Sequence, residues 1–329
     1  MSLPAIGLLL DNHGPAAAAL RAAQAAEAAG VTRVWLAEDL YHRGALPLAG
    51  AVLATTQRIG VGVGVVAPQL RPPAALAMDL RTMNDLGPGR FTLGLGAGVG
   101  ERTKHIGLPA RPPLTIVRQA IEQVRTLLAG GTLATGGLLH QAEGLTLSGA
   151  AGDGPAVPVY AAAVGPKALA QAGRVADGVV LSMMCSVEHI RVATGLVQEA
   201  AGAAGREPVA VVAYVPVCLL ADKAAAKESM RRCVAGYMAA WAGLDFLSTL
   251  FTEWSPLTRE DLTAAGELLA AADWAGLQRL LPDDLIDQFA VAGDLPECRR
   301  LLAVLAQAGV TEVALSCEDG RLESAFTLA

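Results

Sequence analysis

Aromatic side chains are scarce in this sequence: Phe, Trp and Tyr make up 4% of 329 residues. So few rings argue against a surface built to stack bases or sugars. Charge is thin too, at 17%, and the 25 lysines and arginines form no basic block in a chain of net charge −6. Proteins that track nucleic-acid phosphates need a basic stripe, so no nucleic-acid partner is expected. The five cysteines (Cys185, Cys218, Cys233, Cys298 and Cys317) include no C-x-x-C pair. An odd count in a long chain reads as free, mostly buried thiols. His13, His42, His105, His140 and His189 form no local ligand set, and no metal is expected. The longest apolar run, 209–221, stops at Asp222, short of the roughly 18 to 20 residues that span a bilayer. The first residues carry no basic region followed by an apolar stretch and cleavage site. A soluble, cytoplasmic protein without a membrane partner is expected.

What is present is an apolar, alanine-rich chain, 53% hydrophobic, with ample surface to bury against ordering entropy. Short apolar runs alternate with amphipathic ones. Strands are predicted at 6–10, 34–37, 59–66, 91–95, 157–163, 179–182, 209–220 and 313–316. Helices are predicted at 15–29, 48–58, 73–86, 113–128, 166–174, 187–204, 224–241 and 296–308. Residues 129–156 read as a glycine-rich connection with a small hairpin. Continuous apolar strands are those buried on both faces. Eight such strands alternating with helices predict an α/β fold, a (β/α)8 TIM barrel. Residues 222–285 exceed one βα unit and read as a helical insertion after strand seven, its part beyond the helix at 224–241 being the least regular region. No linker divides the chain, so residues 1–329 read as one domain.

In such a barrel the chemistry sits at the carboxyl ends of the strands. After strand one stand Asp11, Asn12 and His13, either capping the helix that opens at Pro15 or meeting a substrate. After strand two stand Glu38 and Asp39, beside His42 and Arg43. Adjacent carboxylates are costly to bury unless paired or useful, so acid–base work and a salt bridge with Arg43 both fit. Gly60, Gly62 and Gly64 share one face of strand three, which suits close packing or a bulge against a flat ligand. Arg71 either binds an anion or reaches solvent. Strand four runs into Gly94, Gly96, Ala97, Gly98 and Gly100, whose spacing departs from the dinucleotide G-x-G-x-x-G; backbone approach to a ring fits better. Strand five ends at Ala163, Gly165, Pro166 and Lys167, a helix mouth suited to an anion. Walker A, G-x-S-x-G and glycosidase-type carboxylate pairs are absent. So thin a polar inventory suits a protein that holds a cofactor. Trp241, Phe246, Phe251 and Trp254 cluster in the expected insertion, as core or as pocket lining.

Several segments together carry a resemblance: Val34-Trp35-Leu36-Ala37-Glu38-Asp39, Thr56-Gln57-Arg58-Ile59-Gly60-Val61-Gly62 and Gly89-Arg90-Phe91-Thr92-Leu93-Gly94-Leu95-Gly96-Ala97-Gly98. Gly165-Pro166-Lys167-Ala168-Leu169, Ala172-Gly173, Ala176-Asp177-Gly178 and Ala308-Gly309-Val310-Thr311 continue it. In order and spacing the chain resembles the bacterial luciferase-like superfamily of flavin- and deazaflavin-dependent oxidoreductases. Within it the methylenetetrahydromethanopterin reductase-like branch is the most similar.

The resemblance implies coenzyme F420 as cofactor, with FMN as the alternative, and Glu38 and Asp39 as catalytic residues near the ring. It implies a non-prolyl cis peptide at Gly64-Val65 behind the ring. It implies Gly96, Ala97 and Gly98 at the ring edge, and Ala163, Gly165 and Pro166 at the phosphate end. It further implies a hydride transfer with a small organic substrate, and a homodimer. The alternatives are an FMN-dependent monooxygenase using reduced flavin and oxygen, and a non-catalytic binding barrel. Asp39 departs from the His that many relatives have, and Arg71-Pro72 from their Arg-His.

Overall fold

The computed structural model describes residues 3–11, 13–134, 137–138, 144–148, 156–318 and 320–329. Asn12, His140 and much of the glycine-rich connection lie outside the described residues. The chain begins with β1 (Ala5–Leu10), α1 (Ala16–Ala29), β2 (Arg33–Leu36), α2 (Ala45–Thr55), β3 (Gly60–Val66) and α3 (Pro73–Leu86). Then come β4 (Phe91–Leu95), α4 (Gly100–His105), α5 (Pro113–Leu128), β5 (Val159–Ala162), α6 (Pro166–Val175), β6 (Gly178–Leu181), α7 (Val187–Ala203) and β7 (Ala210–Leu219). The remainder is α8 (Lys223–Trp241), α9 (Asp245–Thr252), α10 (Arg259–Ala270), α11 (Trp274–Leu280), α12 (Asp283–Phe289), β8 (Val291–Gly293), α13 (Leu295–Gln307), β9 (Glu312–Ser316) and α14 (Leu322–Leu328).

The strands bond in the order β6-β5-β4-β3-β2-β1-β9-β7-β8, and β6 also pairs with β7. Eight strands therefore close a ring, the (β/α)8 barrel expected. The three-residue β8 hangs on the end of β7, Val217 facing Val291. It is a ninth strand, too short to leave a periodic signal. The irregularity expected between 242 and 285 is also corrected, because four helices, α9 to α12, occupy that stretch and run on to Phe289. Each is 7 to 12 residues long, too short for a 3.6-residue pattern to declare itself. Local caps mark two of them: a Thr258–Asp261 capping box on α10 and Asp273 on α11. Of the expected hairpin, one antiparallel bridge between Leu133 and Leu145 is described.

By packing, the chain forms two compact units, one of residues 9–180 and 196–210, the other of residues 3–8, 181–195 and 211–329. In the first, parallel ladders join β2 to β3, β3 to β4, β4 to β5 and β5 to β6. Trp35 is fully buried and stands opposite Gly62. A Cβ built on Gly62 would lie 2.6 Å from Trp35 Cδ2, so the bare backbone is what admits the indole. The start of α2 falls three residues before the predicted one. Glu38 Oε2 accepts the Ala45 N–H there at 2.5 Å, a cap supplied from seven residues away. After α2, Glu27 Oε1 accepts the backbone N–H groups of Gln57, Arg58 and Ile59 at 2.9, 2.6 and 3.0 Å. Burial pushes the Glu27 carboxyl up, but these three bonds and Arg58 outweigh it, and the net shift is downward.

In the second unit β7 pairs with β9 in parallel, from Val212–Glu312 to Pro216–Ser316. Phe251 is fully buried against Phe289 and Trp241, ring centroids 5.3 and 6.1 Å away. Trp254 stacks on His189 at 5.2 Å, whereas Phe246 is 60% exposed. The core reading thus holds for Phe251 and fails for Phe246. On α8 the buried Arg231 pairs with Glu228 and Asp283 and donates to the Leu281 carbonyl. Removing one partner of such a pair leaves an uncompensated buried charge. All five cysteines are free, three of them buried. Burial pushes the Cys185 and Cys298 thiols up to about 12, so they are inert as nucleophiles. Among the described residues no helix is long and apolar enough to cross a membrane.

Gly62→Ala is expected to cost about 1–3 kcal/mol by overpacking Trp35, read as a lowered denaturant midpoint with an unchanged slope. Trp35→Leu in the same chain should relieve part of that cost. Glu27→Gln tests the lowered carboxyl. A carboxylate favoured by folding contributes above its unfolded value, near pH 4.3, and loses that contribution as pH falls through the folded one. The variant should therefore be less stable by about 1 kcal/mol at pH 7, and its difference from wild type should shrink as pH falls through the folded carboxyl's lowered range in urea melts.

Candidate active site

The residues singled out at the ends of β2 to β5 all belong to the first unit. β3 and β4 pair in step from Val61–Phe91 to Val63–Leu93, and the register then slips, so that Val66 faces Leu95. The extra residue of this bulge is taken up at Gly64-Val65, whose peptide bond is cis, as the resemblance implies. The slip turns Val65 over β4. A Cβ on Gly96 would lie 2.5 Å from Val65 Cγ2 and 3.1 Å from the Ala162 Cβ. A Cβ on Gly94 would lie 3.0 Å from Val65 Cγ1. The glycines of β4 thus make room for the Val65 side chain, and the bulge and close-packing readings of the glycine-rich strands hold together. Beyond them Gly98 takes φ +72°, a left-handed conformation that suits glycine. Gln69 Nε2 donates to the Ala97 carbonyl at 3.2 Å, and buried Gln69 Oε1 has no partner among the described residues.

Past β2, Asp39 Oδ1 accepts from Arg102 Nη1 at 2.7 Å. Arg43 Nη1 donates to the His13 carbonyl. Asp39 Oδ2 lies 3.7 Å from His13 Nε2, and the His13 and His42 rings stack with centroids 3.9 Å apart. Tyr41, at φ 77°, donates its hydroxyl to the Arg102 carbonyl at 3.1 Å. The capping reading of Asp11 is corrected: α1 has no side-chain cap, and Asp11 Oδ1 accepts the His13 N–H at 2.7 Å. Arg71 pairs with Asp79 of α3 at 2.5 Å, its side chain 36% exposed. Beyond β5, Gly165 caps α6 with Pro166 in its first turn. A Cβ on Gly165 meets nothing within 4 Å, so open space adjoins the free amides at this helix start.

The structure therefore joins Asp39, His13 and Arg102, turns Glu38 to the Ala45 N–H, and separately joins Gly64, Val65, Gly94, Gly96 and Ala162. Arg102 and Gln69 escaped the sequence reading. Arg102 is 63 residues from the carboxylate it meets, and no local pattern signals such a contact. Gln69 sits in the loop between Pro68 and Arg71 that sequence reading passed over.

A family model described as luciferase-like monooxygenase matches residues 2–312. The 5,10-methylenetetrahydromethanopterin reductase of Methanolobus tindarius is 29% identical over 293 residues, 88% of this chain and 87% of that protein. The F420-dependent glucose-6-phosphate dehydrogenase of Beutenbergia cavernae is 37% identical over 167 residues, 46% of this chain and 48% of that one. In fold, the chain is similar to the coenzyme F420-dependent tetrahydromethanopterin reductase of Methanopyrus kandleri, with TM-score 0.81 and 23% identity over 99% of this chain and 97% of that one. With the family match running through nearly all of a (β/α)8 barrel, the chain belongs to the luciferase-like monooxygenase family.

Proposed function

We propose that the protein is an oxidoreductase that uses coenzyme F420 and exchanges a hydride between its deazaflavin ring and a small organic substrate. The observation that carries this reading is the bulge in β3, where the register slip turns Val65 onto the bare backbone of Gly94 and Gly96. Relatives named as F420-dependent support the deazaflavin over FMN. The family model, matching residues 2–312, supports reading the chain as one domain in which 222–285 is an insertion. A cytoplasmic homodimer belongs to the same reading and rests on the resemblance alone.

The residues present suit the group. Val65 backs the ring, with Gly64 setting its position. Gly96, Ala97 and Gly98 bring main chain to the ring edge, the Ala97 carbonyl being held by Gln69. Ala163, Gly165 and Pro166 lead into α6, where the backbone N–H groups of Gly165 and Lys167 would be offered to phosphate, since Pro166 has none and that of Ala163 goes to the Val180 carbonyl. When bound, the deazaflavin supplies a two-electron hydride donor or acceptor, the part of the chemistry that side chains cannot provide. Glu38 and Asp39 would stand on the substrate side of the ring. Each has one oxygen engaged, by Ala45 and by Arg102, which fixes where the carboxylates stand.

Titration of the purified protein with F420 and with FMN, followed by calorimetry, should give micromolar F420 binding and FMN affinity at least about tenfold weaker, or some 1.4 kcal/mol. Tight FMN binding without F420 binding would turn the reading to a monooxygenase; binding of neither would turn it to a non-catalytic barrel. Oxidation or reduction of F420 with a panel of small alcohols and imines then tests turnover. Gly165→Ala should leave the melting temperature unchanged, since the added methyl enters open space, while F420 affinity drops about fivefold or more. An unchanged affinity would place the phosphate elsewhere.

A further inference from the structure

Hydride transfer to a C=O or C=N carbon moves two electrons and leaves a lone pair on oxygen or nitrogen that takes one proton. The reverse reaction releases one. Most polar groups around Asp39 are unsuited to that step. Glu38 holds the Ala45 N–H and Asp39 holds Arg102. Guanidinium groups such as Arg43 and Arg102 do not give up protons in proteins. The Tyr41 hydroxyl is committed to the Arg102 carbonyl.

Two imidazoles remain, and their surroundings differ. The His13 ring lies flat on His42 and presents Nε2 to Asp39 Oδ2 at 3.7 Å and Nδ1 to Asp11 Oδ1 at 3.8 Å. Both distances exceed a hydrogen bond, so the ring is aimed by charge and stacking while its N–H stays available. Arg43 ties the His13 carbonyl in place, and Arg102 fixes the other oxygen of Asp39. A proton-transferring imidazole oriented by a carboxylate that is itself held by a third group is a recurrent catalytic arrangement.

We infer that His13 carries the proton of the reaction, with Asp39 and Arg102 as its positioning residues. This rests on the hydride-transfer reading above. In the reducing direction the His13 N–H bond breaks, its electron pair stays on nitrogen, and a substrate O–H or N–H bond forms as the F420 hydride reaches carbon. Water then returns a proton to His13, whose side chain is 57% exposed. Among the described residues, Asp11, Asp39 and His42 face the ring, with Arg43 on the His13 carbonyl and Arg102 on Asp39.

The test uses the full-length protein loaded with F420 and the alcohol or imine it turns over. His13→Gln should lower kcat about 100-fold or more, with KM and F420 affinity within about threefold of wild type, and should remove one limb of the pH profile. Imidazole added to His13→Ala should restore turnover in proportion to its concentration and leave wild type unaffected. Asp39→Asn should cost about tenfold, a smaller loss than that of His13→Gln. A His13→Gln enzyme keeping kcat within threefold, a His13→Ala enzyme blind to imidazole, or a full loss in His42→Gln would each overturn the assignment. A wild-type protein that binds no F420, or binds it and turns over nothing, would instead fail the underlying reading.

Discussion

The candidate site hangs on one steric exchange, in which Val65 fills the volume that Gly94 and Gly96 leave empty. The register slip between Val63 and Val66 turns the side chain there, and Cβ atoms on either glycine would collide with it. This exchange brings the Val65 side chain against the main chain of the neighbouring strand at the carboxyl end of the barrel. The glycines are thus present for the neighbouring strand first and for any ligand second. Trp35 and Gly62 repeat the exchange one layer deeper, a full indole set against bare backbone. Cores are packed closely enough that each such pairing constrains both partners.

Polar groups around this frame divide into those that build it and those left to act. Arg90 donates to the Leu53, Ile59 and Leu86 carbonyls and to the Thr56 hydroxyl, closing the ends of α2 and α3. Asp177 accepts the Val159 N–H and pairs with Arg125, fixing the start of β5. Both residues belong to the segments that carry the family resemblance, yet their work here is architectural. The same holds for one oxygen of Glu38. What is left over at the strand ends is small: Asp39 with Arg102, the stacked His13 and His42, and the open start of α6. That economy fits a protein whose chemistry comes from a bound ring, since the chain needs to supply only a surface, an anion seat and a route for one proton.

Much of the architecture was legible in the sequence because it rests on local rules. Apolar runs such as those of β4 and β6 declare strands buried on both faces, and proline at the first turn with glycine past the end declares α1. The break at Asp222 declares the end of β7 and the cap of α8, where Asp222 accepts the N–H groups of Ala224 and Ala225. Short elements were illegible for a matching reason. Helices α9 to α12 and strand β8 are too brief to express a period, and their stability comes from packing around Phe251, Phe289 and the ion pairs of α8.

By itself the sequence determined the barrel, the glycines at its rim, the bulge at Gly64-Val65 and the family to which the chain belongs, because strand period, helix punctuation and motif order are written along the chain. Only the tertiary structure decided what those residues touch. Val65 is what Gly94 and Gly96 make room for. Arg102, which no local pattern flags, holds Asp39. His13, which reads as a helix-capping neighbour in sequence, meets the acidic residue beyond the next strand. These pairings join residues up to 63 positions apart, and contacts at that range are set by how strands are placed side by side, which no local pattern encodes.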